Sequence, residues 1–227
     1  METNNKQDAK LSQNMHTLIK QNAYELSKVQ GNILSAAENK EIKTIFVTSC
    51  YASEGKTVTA ISMAYGLCAN AKARVLLIDA HFDSPSLHKL FNLISSPGLS
   101  DLILYNAKYN EVIRKSEYYK LMLMSHGTEI SNPLQIFNTS VFKDKLNFLK
   151  QNFDYIIFDG SSVFGSTDAS VMASYFDGIV IVIECENTRW EVLHEAQEKV
   201  VKVGGNILGA VLNQRRYYIP KVLYGKI

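Results

Sequence analysis

The chain alternates short, nearly continuous apolar runs with longer amphipathic stretches, and few folds accept that pattern. Thr44–Thr48, Val75–Asp79, Leu121–Met124, Tyr155–Asp159, Gly178–Ile183 and Ile207–Leu212 read as six strands. A strand covered on one face alternates apolar and polar residues, whereas a parallel strand covered on both faces is apolar throughout. Between these runs, Thr57 to Ala69 sets Ala60, Ile61, Ala64, Leu67 and Cys68 on one helical face. Thr139–Asn152 and Thr188–Val203 behave alike, and Gly204-Gly205 stops the second. Strand–helix alternation of this kind predicts an α/β fold: a doubly wound, mostly parallel sheet with helices on both faces. Residues 1–35 are expected as a polar N-terminal arm or helix and residues 36–227 as one domain.

The most informative loop joins the first strand to the first long helix. It reads VTSCYASEGKTVTA, Val47 to Ala60, and Gly55-Lys56-Thr57 closes a Walker-A-like turn there. Backbone N–H groups at a helix N-terminus bind phosphate oxygens, a lysine adds compact positive charge, and a hydroxyl can serve magnesium. The match to GxxxxGK[ST] is incomplete, because Cys50 stands at the first glycine position. Asp79 and Asp159 end the strands VLLID and YIIFD. Ligands of open α/β sheets bind at the carboxyl ends of strands, so both acids are expected to converge on the loop. An acid ending an apolar strand is costly to bury without a partner or a metal. The alternative for each is a helix-capping aspartate. The fold class is therefore that of a P-loop NTPase.

Extended motifs now bear a family resemblance, over Asn32 to the C-terminus. VLLIDAHFDSPSLHKLF (Val75 to Phe91), PGLSDLI (Pro97 to Ile103), NPLQIF (Asn132–Phe137), FDYIIFDGSSVFGSTDA (Phe153 to Ala169), FDGIVIVI (Phe176–Ile183) and GAVLNQRRYYIP (Gly209–Pro220) follow in order. The chain resembles the bacterial tyrosine kinases, P-loop autokinases that regulate capsule and exopolysaccharide assembly and are related in fold to Min/Par-type ATPases. The resemblance implies ATP and Mg2+ as cofactors. It implies nucleotide contacts from Ala52, Ser53, Glu54, Gly55, Lys56, Thr57 and Val58, with Asn213 at the adenine. It implies Thr57, Asp79 and Asp159 around the metal, and Lys56, Asp79 and Asp159 as the catalytic set. It also implies a membrane-embedded polysaccharide co-polymerase or adaptor subunit as partner, and allows a homo-oligomer.

Several residues depart from the family pattern. Ala52-Ser53 replace the usual Pro-Gly of the loop, and a serine there is penalised if its φ must be positive. His81 replaces the second acid of a DxD pair, Asp83 and Ser84 replace two arginines, and Gly160-Ser161-Ser162 replace Thr-Pro-Pro. The segment Asn22 to Ile33 has Glu25 and Lys28 but lacks the arginines of the family's assembly element. The tail tyrosines are few: Tyr217, Tyr218 and Tyr224. Tyr51 stands where Min/Par ATPases carry a signature lysine, which argues against a partitioning ATPase. These departures keep a weakened, nucleotide-binding regulatory pseudokinase open as the second reading.

Composition excludes other classes. The net charge of +2 gives no argument for nucleic acid. No apolar run reaches the ~18–20 residues of a membrane span, and METNNKQDAK lacks the apolar core of a signal peptide. The expected location is cytoplasmic, peripheral at the inner membrane through the partner. Cys50, Cys68 and Cys185 suit neither a disulfide framework nor a zinc site. His194-Glu195 lacks a second histidine and reads as a solvated helix face; His16, His88 and His126 have no companion at ligand spacing. Trp190 is expected to pack, and the tail from Arg215 to cap the sheet edge.

Overall fold

In the computed structural model, the described residues are 42–70, 72–117, 120–166 and 169–215, with 10–13, 15, 17, 31 and 35. Seven strands form one sheet in the order β3-β4-β2-β5-β1-β6-β7. They are β1 Thr44–Ser49, β2 Val75–Asp79, β3 Ile113–Lys115, β4 Leu121–Met124, β5 Tyr155–Asp159, β6 Gly178–Glu184 and β7 Ile207–Asn213. All six expected strands are present, within one residue at their ends. The one addition is β3, a short antiparallel edge strand paired to β4. Its three residues, Ile113, Arg114 and Lys115, are too few and too polar to give a strand signal.

The continuous apolar runs are explained by burial on both sheet faces. Phe46, Leu76, Ile78, Ile156, Phe158, Ile179 and Ile181 point into one core. Their neighbours Ile45, Val47, Val75, Leu77, Ile157, Val180 and Val182 point into the other. Helix α1 (Lys56–Asn70) covers the second core with Ala60, Ile61, Ala64 and Leu67. Short helices α2 (Leu87–Leu90), α3 (Leu99–Leu104), α4 (Tyr109–Val112) and α5 (Leu134–Phe137) follow, then α6 (Ser140–Asn152), α7 (Ala169–Ala173) and α8 (Trp190–Lys202). Helix α6 covers the first core with Phe142, Leu146 and Leu149, and α8 with Ala196 and Val200. Thr139 caps α6 by accepting the Phe142 N–H at 3.0 Å.

Asp177 fixes the entry to β1. Its carboxylate accepts the N–H of Thr44 at 2.8 Å and of Lys43 at 3.1 Å, and the Lys150 ammonium at 2.7 Å. The carboxyl ends of β2, β5 and β1, in that sheet order, therefore open side by side.

Trp190 departs from expectation: it is 72% exposed at the start of α8. Helical spacing places Ala196 and Val200 inward, and the first residue of the helix falls outside that stripe. The assembly segment Asn22 to Ile33, apart from Gly31, the tail tyrosines and residues 216–227 lie outside the described residues. Among the described residues no helix is long and apolar enough to cross a membrane.

Candidate functional site

Strand β1 ends at Ser49, and residues 50–55 turn into α1, which begins at Lys56. Two of these turn residues have positive φ: Ser53 at +67° and Gly55 at +91°. Gly55 is needed twice over, since a Cβ there would lie 2.0 Å from Asn213 Nδ2. Ser53 takes the left-handed conformation with a side chain, so the penalty that the sequence made conditional does apply.

The loop is strapped from behind. Glu54 is buried; its carboxylate accepts the Tyr51 N–H at 2.9 Å and the Thr188 hydroxyl. Asn213 Nδ2 donates to the Glu54 carbonyl at 2.9 Å, and Gln214 Nε2 to the Ser53 carbonyl at 2.9 Å. Glu54, expected as a nucleotide contact, therefore has its side chain and its carbonyl engaged in holding the loop, and it does not line the cleft. Asn213, expected at the adenine, has its amide N–H on the loop itself. Thr188 lies in no motif, and Gln214 lies in one without an assigned role; only tertiary contact identifies their hold on the loop.

In front of the loop lies an open cleft of about 440 Å³, lined by Ala52, Ser53, Gly55, Lys56, Thr57 and Val58. His81, Asp83, Ser84, Ser86, Ser161, Ser162 and Gly165 form its opposite wall. Ser161 donates to Asp83 at 3.1 Å, and Thr48 donates to the Ser161 carbonyl at 2.7 Å, which ties that wall to β1. Ser84, Ser161 and Ser162 were visible only as departures from a motif, and their place in the wall comes from the structure.

Asp79 and Asp159 lie beneath this cleft, both fully buried, and are register partners on β2 and β5. Asp79 accepts three backbone N–H bonds, from Ser86 and Leu87 at 3.0 Å and from His81 at 3.2 Å. It caps the start of α2, so the helix-capping alternative holds for this acid as an additional role. Asp159 differs: neither carboxylate oxygen has a hydrogen-bond partner.

Burial pushes the pKa of both acids up. For Asp159 the Asp79 charge adds to that rise, while the nearby Thr57 hydroxyl and Lys56 ammonium oppose it. For Asp79 the Leu87, His81 and Ser86 N–H groups and then Lys56 oppose it. The pair resists holding two negative charges unless positive charge is supplied. Lys56, itself buried, supplies some. His81 supplies none, because burial and then Lys56 lower its pKa to about 4, against a smaller opposing effect of Asp83. Cys50 is chemically quiet: burial and then Glu54 raise its thiol to about 12.

An orphaned, buried carboxylate beside a lysine and a threonine hydroxyl fits a hard divalent cation, which prefers oxygen ligands. Lys56, Thr57, Asp79 and Asp159 are thus brought to one place. The other sequence readings divide. His194 is a solvated side chain, 61% exposed, bridging to Glu198, as expected. His88 and His126 do have companions, each other and Asp79. They are distant in sequence, so spacing could not reveal the grouping.

Comparison with known proteins supplies the family. Residues 42–207 match the AAA domain family AAA_31. The chain is 30% identical over 186 residues to CapB of Staphylococcus aureus, named as a candidate tyrosine-protein kinase, with 82% of this chain and 81% of that protein covered. It is 30% identical to the tyrosine-protein kinase CpsD of Streptococcus agalactiae, with 77% and 76% covered. The crystal structure of the VpsO kinase domain superposes with a TM-score of 0.79 at 26% identity, covering 90% of this chain and 100% of that one. The chain belongs to the AAA domain family and, within it, to the bacterial tyrosine-protein kinases.

Proposed function

We propose that this protein is an ATP- and Mg2+-dependent tyrosine autokinase that regulates exopolysaccharide or capsule polymerisation and export. The observation that carries the reading is Asp159, a buried carboxylate with two unpartnered oxygens beneath the phosphate loop. Thr57, Asp79 and Asp159 would hold magnesium, which neutralises phosphate charge when bound. Loop N–H groups and Lys56 orient the triphosphate and offset charge that spreads over the transferring group. The γ-phosphoryl passes from the terminal bridging oxygen of ATP to a tyrosine oxygen, ADP departs, and Asp79 accepts the tyrosine proton. A membrane-embedded co-polymerase or adaptor subunit is the proposed partner, holding the chain at the inner membrane.

Incubation with labelled ATP, with Lys56→Met as control, tests this. Phosphotyrosine in the parent and none in the variant is the expected result. No phosphotyrosine and no hydrolysis, with the membrane activator present, overturns it.

Two observations favour a second reading, a nucleotide-binding pseudokinase: the strained Ser53 and a neutral His81 in place of a family acid. A nucleotide that binds only the native state raises its melting temperature. A melting shift without turnover selects this reading, and absence of any shift removes both.

A further inference from the structure

The carboxyl ends of β2 and β4 carry a second cluster, of which the nucleotide reading uses Asp79 but neither histidine. Asp79 ends β2, His126 follows β4, and His88 lies on α2 between them. Asp79, His88 and His126 each offer one ligand atom, and the three atoms lie within 4.8 Å of one another. The two imidazole rings are 5.3 Å apart, centre to centre. His126 is only 3% exposed, and Nδ1 of both histidines is buried with no hydrogen-bond partner. Buried ring nitrogens in folded proteins almost always have a partner. Two such imidazoles, each with a ring nitrogen within 4.8 Å of one carboxylate oxygen, need an explanation that packing does not provide.

We propose that Asp79, His88 and His126 bind a divalent first-row transition cation of the zinc class. Two imidazoles and one carboxylate are a common donor set for such ions, which leave a further position to water. Magnesium is disfavoured here, because it prefers oxygen donors. Tetrahedral bonds of ~2 Å set donor atoms about 3.3 Å apart, so the cluster closes by side-chain rotation around the ion. Asp79 is the prepared ligand: the Ser86, Leu87 and His81 N–H groups fix its carboxylate as outer-shell donors do. His88 is half-exposed and gives the ion its entry. The inference does not depend on kinase activity. It extends it, since an ion held here would share Asp79 with the nucleotide cleft and so link the two ligands.

The test is a titration of the untagged, chelator-treated full chain with Co2+ and then Zn2+, without nucleotide or magnesium. One ion per chain, with a visible absorption band from Co2+, is expected. His88→Ala and His126→Gln should each weaken binding at least about tenfold, with circular dichroism and a cooperative melt reporting the fold. Because the titration contains no nucleotide or magnesium, its outcome is read independently of phosphotyrosine formation, which separates this proposal from the kinase reading. In the parent, Co2+ should broaden the ring resonances of His88 and His126. No saturable binding, undiminished binding by the double histidine variant, or broadening confined to other histidines overturns the site.

Discussion

Asp79 and Asp159 face each other in register across two adjacent parallel strands, yet Asp79 accepts three backbone N–H bonds whereas Asp159 accepts none and has only the Thr57 hydroxyl and the Lys56 ammonium nearby. Asp79 closes the turn after β2 through three N–H bonds. Asp159 is followed by Gly160, whose N–H bonds instead to the Val47 carbonyl at 2.9 Å. The same motif position, an acid ending an apolar strand, therefore closes a turn in one strand and keeps its oxygens clear of the backbone in the other.

Asp159→Asn should stabilise the ligand-free protein by about 1–3 kcal/mol at neutral pH, because it removes an acid that burial and Asp79 make costly to ionise. The same variant should lose the melting shift given by Mg2+ and ATP. Denaturant unfolding with and without the ligands measures both, and destabilisation of the free protein would refute the account.

Asp79→Ala should have the opposite sign in the free protein. Three N–H groups lose their acceptor, and a loss of about 2–4 kcal/mol is expected. Equal effects of the two variants in unfolding experiments would show that the asymmetry is not energetic.

Ser53→Gly tests the phosphate loop. Relief of a left-handed side-chain conformation gives about 1–2 kcal/mol, and added freedom of the unfolded glycine offsets roughly half. A net gain of about 0.5–1 kcal/mol and tighter ATP binding are expected, read by unfolding and calorimetry.

Acid stability should depend on Asp177. Burial alone would raise its pKa, but Lys150, Thr44 and Lys43 together hold it below the usual carboxylate value. A lowered folded pKa gives stability that is complete above the unfolded value of ~3.9 and is lost as pH falls through the folded one. Asp177→Ala should therefore cost about 1–2 kcal/mol at neutral pH and flatten the decline below about pH 4. Parallel pH–stability curves for parent and variant would contradict this.

The parallel strands and α1 were legible because both-face burial makes continuous apolar runs and helix burial makes a 3.6-residue period. The loop was legible because Gly55-Lys56-Thr57 is contiguous. Strand β3 was not, since three polar-edged residues pair only where β4 offers an edge. Trp190 was misread because an apolar residue carries no information about which side of a helix start it occupies.

By itself, the sequence determined the layered α/β sheet, the phosphate loop and the two acids at strand ends, all of which depend on residues near one another in the chain. Tertiary structure alone decided the rest. Asn213 reaches Glu54 across 159 residues, His88 meets His126, and Asp79 gains the donors that Asp159 lacks. The physical reason is that periodicity and loop chemistry act over a few residues. Hydrogen-bond satisfaction and ligand clustering instead depend on which strand ends the folded sheet sets side by side.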